Sequence, residues 1–243
     1  LTINGGALAS DDDARSIANT IAINEDFTLG GTNDLAITGT VSLAGGDAEH
    51  TLTVNNDTSI TNNITAGDMT LAGTGMLSIS GDNDFTTGVT VTNGTLSVDS
   101  STAFDAGDNL TINGGLVDIN SSTVVADLSG TSGTLNVDAA MAFGDDTDTT
   151  LGSVLTGASQ IQKLGSGTQT LTGNSSTFTG GIVVNQGTVA VGHANALGSS
   201  ATTLNGGTLA SALDDVSLAN NVVLTADSTI NADTDLDMVL TGI

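Results

Sequence analysis

The stretch Ile161–Val191, IQKLGSGTQTLTGNSSTFTGGIVVNQGTVAV, recurs at Met69–Val98, and the recurrence shows which positions matter. A shift of 92 residues lays Gly73, Gly75, Ile79 and Gly81 on Gly165, Gly167, Leu171 and Gly173. One inserted residue, Thr177, moves the shift to 93, and then Phe85, Val89, Val91, Gly94, Leu96 and Val98 fall on Phe178, Ile182, Val184, Gly187, Val189 and Val191. What persists is apolar residues two apart with glycines between them. Alternate residues of a strand face opposite sides, and only the buried side must stay apolar. The pairs Val89/Val91 and Leu96/Val98 therefore point inward, while the positions between them drift from Thr90 to Val183 and from Ser97 to Ala190. Glycine marks the corners because it takes positive φ without steric cost, and Asn-Gly is a turn signal. Each unit reads as strand, tight corner, strand.

A second signature extends the pattern. LTINGG occurs at Leu1–Gly6 and again at Leu110–Gly115, and a variant ends in Asn205-Gly206-Gly207. Short alternating segments fill the intervals: Leu35-Ala36-Ile37, Leu52-Thr53-Val54, Leu135-Asn136-Val137 and Val222-Val223-Leu224, separated by Gly, Asn, Asp and Ser. No window sustains a 3.6-residue apolar period, so helix is expected to be nearly absent. The runs GSGTQTLTG, STFTGGIVVNQGTVAVG and LGSSATTLNGGTLA resemble the autotransporter-associated β-strand repeat of passenger regions in large secreted bacterial proteins. The resemblance is close over residues 161–210 and looser over 69–117. It implies a right-handed parallel β-helix exported to the cell surface, and it attaches no catalytic residue to the motif.

Composition agrees with an all-β solenoid. Of 243 residues 38% are apolar but only 2% aromatic, so a core would be thin layers of Val, Leu, Ile and Ala. With a repeated unit, length is a poor guide to domain count, and residues 1–243 read as one continuous β-helix of about 12 rungs at roughly 20 residues each. Absence of Pro suits uninterrupted ladders. Absence of Cys leaves hydrogen bonds and stacking to hold the fold. No apolar run reaches the roughly 18 residues of a membrane helix. The chain opens inside a repeat-like LTINGG, which reads as an interior slice of a longer repetitive chain, or as a surface for end-to-end self-association.

Charge is lopsided: 27 acidic residues against 2 basic give a net −25. Such a surface repels nucleic acid, whose binding rests on cationic side chains, and anionic membranes. Its self-repulsion needs counterions, which points to a salty extracellular medium. The acidic runs are candidate Ca²⁺ sites because alternate carboxylates can share an ion that takes several oxygens; the candidates are Asp145, Asp146 and Asp148, and Asp233, Asp235 and Asp237. The competing reading is solvated surface charge, favoured by the replacement of Asp82-Asn83-Asp84 with Asn174-Ser175-Ser176 in the second copy.

Beyond carboxylates, the groups available for acid–base chemistry are Arg15, Lys163, His50 and His193, scattered along the chain, which argues against an enzyme. T-x-T units at Thr51/Thr53, Thr90/Thr92, Thr168/Thr170 and Thr170/Thr172 suggest an outward hydroxyl ladder, but their spacing in sequence is uneven. Asn4, Asn55, Asn113, Asn185 and Asn205 follow inward strand pairs; they read equally as a stacked amide ladder or as turn residues tolerant of left-handed φ. The expected role is an extracellular structural stalk. The alternative is an adhesin recognising a host, matrix or neighbouring-cell molecule through an irregular insertion, for which the least repetitive candidate is Ala139–Gln160.

Overall fold

The computed structural model describes residues 1–43, 49–231 and 238–240. Every paired strand is parallel to its neighbour, and no helix occurs among the described residues. The chain winds as a three-faced β-solenoid. On the second face twelve strands stack in sequence: Ala7–Ser10, Phe27–Gly31, Glu49–Val54, Asp68–Gly73, Gly88–Val91, Asn109–Ile119, Leu128–Val137, Thr149–Leu151, Thr168–Leu171, Thr188–Val191, Thr208–Ser211 and Thr229–Asn231, which span eleven turns. Each step takes about 20 residues, from the short Thr111↔Ser129 step to the long Thr28↔Thr53 step.

The alternation works as the strands require. Val89, Val91, Leu96, Val98, Val184, Val189 and Val191 are buried, each at 2% exposure or less. Core positions stack on their equivalents one rung away, as in the run Leu52, Leu71, Val91, Ile112. All five Phe lie in the core. The expectation that intervening positions face solvent needs one amendment: Val183 is part-exposed, but Ser97 and Ala190 are covered. Asn120 Nδ2 donates to the Ser97 hydroxyl from the next rung at 2.9 Å, closing over it.

The glycines answer to two constraints. Gly73 and Gly165 have φ of +99° and +60°, the left-handed region expected at a corner. Gly75 and Gly167 do not; there a Cβ would intrude on the carbonyls of Asn56 and Thr147 in the preceding rung. Close stacking at the corner, not backbone freedom, keeps them glycine.

The two long sequence repeats do not sit on the same faces. In the first, Asp68–Gly73 and Gly88–Val91 lie on the second face and Met76–Ile79 and Thr95–Val98 on the third. In the second, Ile161–Lys163 and Ile182–Val184 lie on the first face and Thr168–Leu171 and Thr188–Val191 on the second. The unit has therefore turned by one face between its copies.

One non-strand loop inside each copy and one directly after it interrupt a single face for two rungs. With the first copy, residues 80–87 and then 99–108 interrupt the first face; with the second, residues 172–181 and then 192–201 interrupt the third. Phe85 packs on Phe104 in the first pair, with ring centroids 5.9 Å apart, and Phe178, Ala196 and Leu197 are buried in the second. The missing ladder bonds are replaced by side chains. Asn83 Oδ1 accepts from Ile64 N at 2.8 Å, and its counterpart Ser175 Oγ accepts from Leu155 N at 3.0 Å. Buried backbone donors need such partners.

Ala139–Gln160 is not an insertion. It carries the strands Met141–Phe143, Thr149–Leu151 and Val154–Gly157, one regular rung whose first two strands pair on both sides and whose third pairs with Leu128–Val137 before it and meets the loop 172–181 after it. It looked irregular because small and acidic residues occupy its corners while its inward positions Met141, Phe143, Leu151 and Leu155 remain apolar.

Candidate functional site

Asp145, Asp146 and Asp148 come together at the corner between the first and second faces, with Asp127 one rung before and Lys163 one rung after. The corner exposes backbone N–H groups that the turn leaves without strand partners, and carboxylates are strong acceptors for them. Asp148 Oδ1 accepts from Thr168 N at 2.7 Å. Asp146 Oδ1 accepts from Ser166 Oγ at 2.6 Å and from Ser166 N at 3.3 Å. Asp145 accepts from Thr147 N at 2.7 Å, and the Thr147 hydroxyl is shared between Asp145 and Asp127. The same device recurs elsewhere, with Asp26 accepting from Thr51 N at 2.7 Å and Asp68 from Thr87 N at 2.6 Å.

Electrostatics follow these contacts. Hydrogen bonds from the Thr147 and Ser166 backbones and hydroxyls hold Asp145 and Asp146 below the usual carboxylate range. Burial pushes Asp127 up, with the Thr147 hydroxyl opposing it. Lys163 is 1% exposed and points inward, where Leu71 stands in the first copy. Its Nζ donates to the carbonyls of Leu164 and Gly165, the latter at 3.0 Å. Burial lowers its pKa, and the charges of Asp145 and Asp127 partly offset that.

The other sequence candidates do not converge. His50 is buried on the second face with Nε2 3.0 Å from the Leu43 carbonyl, so that nitrogen carries the proton and donates. His193 lies in a loop of the third face, its Nδ1 accepting from Asn195 N. Arg15 reaches Asp12 at 3.9 Å across an exposed pair, the weakest kind of ion pair. Among the described residues no group of three His, Asp or Glu is placed to hold a metal ion. Asp233, Asp235 and Asp237 lie outside the described residues.

Two other features emerge from the stacking. Three of the five asparagines pair as amides: Asn24 Nδ2 donates to Asn4 Oδ1 at 2.8 Å and Asn205 Nδ2 to Asn185 Oδ1 at 2.9 Å. The only described non-glycine residues with positive φ are Ala66 and Asp215, so none of the five takes the left-handed turn; the ladder account holds for Asn4, Asn185 and Asn205, while Asn113 Oδ1 accepts from Thr131. On the second face an outward row runs from Thr51 through Thr70, Thr90, Thr111, Ser129 and Thr150 to Thr170, a hydroxyl on seven successive rungs. Variable step length hid it from the sequence.

Stacked parallel strands, corner carboxylates used as backbone acceptors and a repeat built of two strand pairs define a parallel β-solenoid. Residues 69–98 and 161–191 match the passenger-associated transport repeat, the same two stretches that the internal comparison isolates. The chain is also similar to the Adhesin BmaC autotransporter of Brucella suis biovar 1 (strain 1330), 34% identical over 197 residues, 77% of this chain and 5% of that protein. The chain thus spans about 5% of the length of the curated relative it matches. No solved structure matches the chain significantly.

Proposed function

We propose that this chain is a rigid structural tract of an extracellular or cell-surface passenger, working as a stalk and carrying no enzymatic activity. The carrying observation is the unbroken strand column of the second face, whose eleven turns at about 4.8 Å per rung make a rod of roughly 50 Å. Rigidity follows from the register: nearly every inward side chain rests on an equivalent one above and below, and corner carboxylates and amides tie consecutive rungs. The acidic coat adds lateral repulsion, which keeps neighbouring rods apart and hydrated. Against an enzyme stands the dispersal of Arg15, His50, Lys163 and His193 over four different rungs.

The alternative, a binding module, draws support from the printed name of the similar protein, an adhesin. Beads coated with the 243-residue chain separate the two. A stalk leaves coated beads no more adherent to epithelial cells or matrix-coated surfaces than uncoated ones, while small-angle scattering shows a rod. Saturable adhesion, competed by free chain, would replace the stalk reading with the binding-module one.

A further inference from the structure

The middle of the second face carries hydroxyls and no charge. The row from Thr51 to Thr170 and the residues that follow it toward the next corner, Thr53, Ala72, Thr92, Asn113, Thr131, Gly152 and Thr172, contain no ionisable side chain in a chain of net −25. Acidic residues stop at the margin, at Glu49, Asp68, Asp127 and Asp148. Over the rungs from Thr111 to Thr172 this face sinks into an open trough of about 470 Å³. Gly130 and Gly152 lie along its floor, and a Cβ at either would meet the backbone of the preceding rung, at Ile112 or Thr131. Its walls are Thr111, Ser129, Thr131, Thr150, Thr172 and Asn113.

The wall groups both donate and accept. Thr111 and Ser129 hydroxyls bond each other at 3.1 Å, and Thr131 Oγ1 donates to Asn113 Oδ1 at 3.2 Å, which leaves the Asn113 amide N–H groups pointing elsewhere. The Thr150 hydroxyl is exposed and has no hydrogen-bond partner among the described residues. Neutral hydroxyls and an amide beside threonine methyls match a ligand that itself alternates hydroxyls with C–H surface. The surrounding field excludes anions, and a cation would find its partners at the acidic margin instead of in the trough.

We propose that this trough binds a segment of an uncharged polysaccharide. Without an aromatic platform each site binds at about millimolar strength, and useful attachment comes from several sites acting together. The rod shape of the stalk reading does not depend on this site, whereas adhesion of coated beads would depend on it wherever the surface displays that polysaccharide.

The test is titration of the ¹⁵N-labelled 243-residue chain with cellotetraose, maltotetraose and chitotetraose, and with tetragalacturonate and glycerol as controls. At least one neutral tetrasaccharide should shift amide resonances of Asn113, Thr131, Thr150 and Gly152 saturably, while tetragalacturonate and glycerol do not. Thr150→Asp should weaken that binding about tenfold or more by placing a charge among the neutral groups, and Asn113→Ala should weaken it less. Thr90→Asp, on the same row but outside the trough, should leave it unchanged. Circular dichroism of each variant establishes that the fold is kept. No saturable shift at about 10 mM of any neutral tetrasaccharide, equal shifts with glycerol, or undiminished binding by folded Thr150→Asp would each overturn the proposal.

Discussion

Val91 and Val184 hold the same position in the two repeats and are both fully buried, at 0% exposure, but they rest on different neighbours. Val91 lies between Leu71 and Ile112, Val184 between Lys163 and Leu204. Val91→Asp removes roughly 2 kcal/mol of apolar burial. It also holds a carboxyl protonated at pH 7 against an ordinary pKa near 4, at a further cost of about 4 kcal/mol. The total, about 6 kcal/mol, is enough to melt the local rungs. Val184→Asp meets the Lys163 strand one rung away, about 4.8 Å, and a buried pair offsets about 3–5 kcal/mol of the same penalty. Thermal melts followed by circular dichroism should therefore place Val184→Asp roughly 10 °C above Val91→Asp.

The sign with pH is fixed. A carboxyl whose folded pKa is raised stabilises fully below its unfolded pKa and loses that contribution as pH rises, so the defect of Val91→Asp should shrink toward pH 3 relative to wild type at the same pH. In a Lys163→Met background the advantage of Val184→Asp should vanish. Val183→Asp, on the outward side, should stay within about 0.5 kcal/mol of wild type. Equal losses at positions 91 and 184, unaltered by Lys163→Met, would refute the account of the stacking.

Melting temperature should rise with NaCl, and Ca²⁺ should add nothing beyond NaCl of equal ionic strength, because Asp145, Asp146 and Asp148 already accept hydrogen bonds from the chain; a Ca²⁺-specific increment would restore the metal reading. Asp108 is 3% exposed and its pKa is pushed up to about 6, first by burial, with Asp105, Asp84 and Asp68 adding repulsion that the Asp105 backbone N–H opposes. Stability should accordingly fall as pH rises through about 6, and Asp108→Asn should flatten that slope in urea melts at pH 5 and pH 7. Gly73→Ala combines positive φ with a clash against the Val54 backbone and should cost about 1–3 kcal/mol, whereas Gly107→Ala, in open space at ordinary φ, should be neutral within about 0.5 kcal/mol in the same melts.

Periodicity of two made the inward set legible, because every strand faces the same demand whichever side of the solenoid it occupies. The same rule could have placed Lys163 and Gln169 inside: they align with Leu71 and Leu77 and alternate with outward neighbours, and both are about 1% exposed. Charge and polarity drew the eye toward solvent instead. The acidic corner was visible as a cluster, but its purpose was not, since Asp146 and Asp148 accept from N–H groups 20 residues away in sequence. The hydroxyl row was hidden for a related reason: steps of unequal length put Thr51, Thr90 and Thr170 in line only after the chain is wound. Which face a repeat occupies was illegible altogether, as strand-corner-strand reads the same on all three.

That indifference has a consequence for how such a chain can change length. From Asp68–Gly73 to Ile161–Lys163 the path advances four full turns and two-thirds of a fifth, so the unit is incommensurate with the turn. Gain or loss of one unit would rotate everything downstream by a third of a revolution while leaving each inward residue on an inward partner. Copies of one motif then trace a screw around the rod, and recombination between repeats re-aims the distal surface without touching the core.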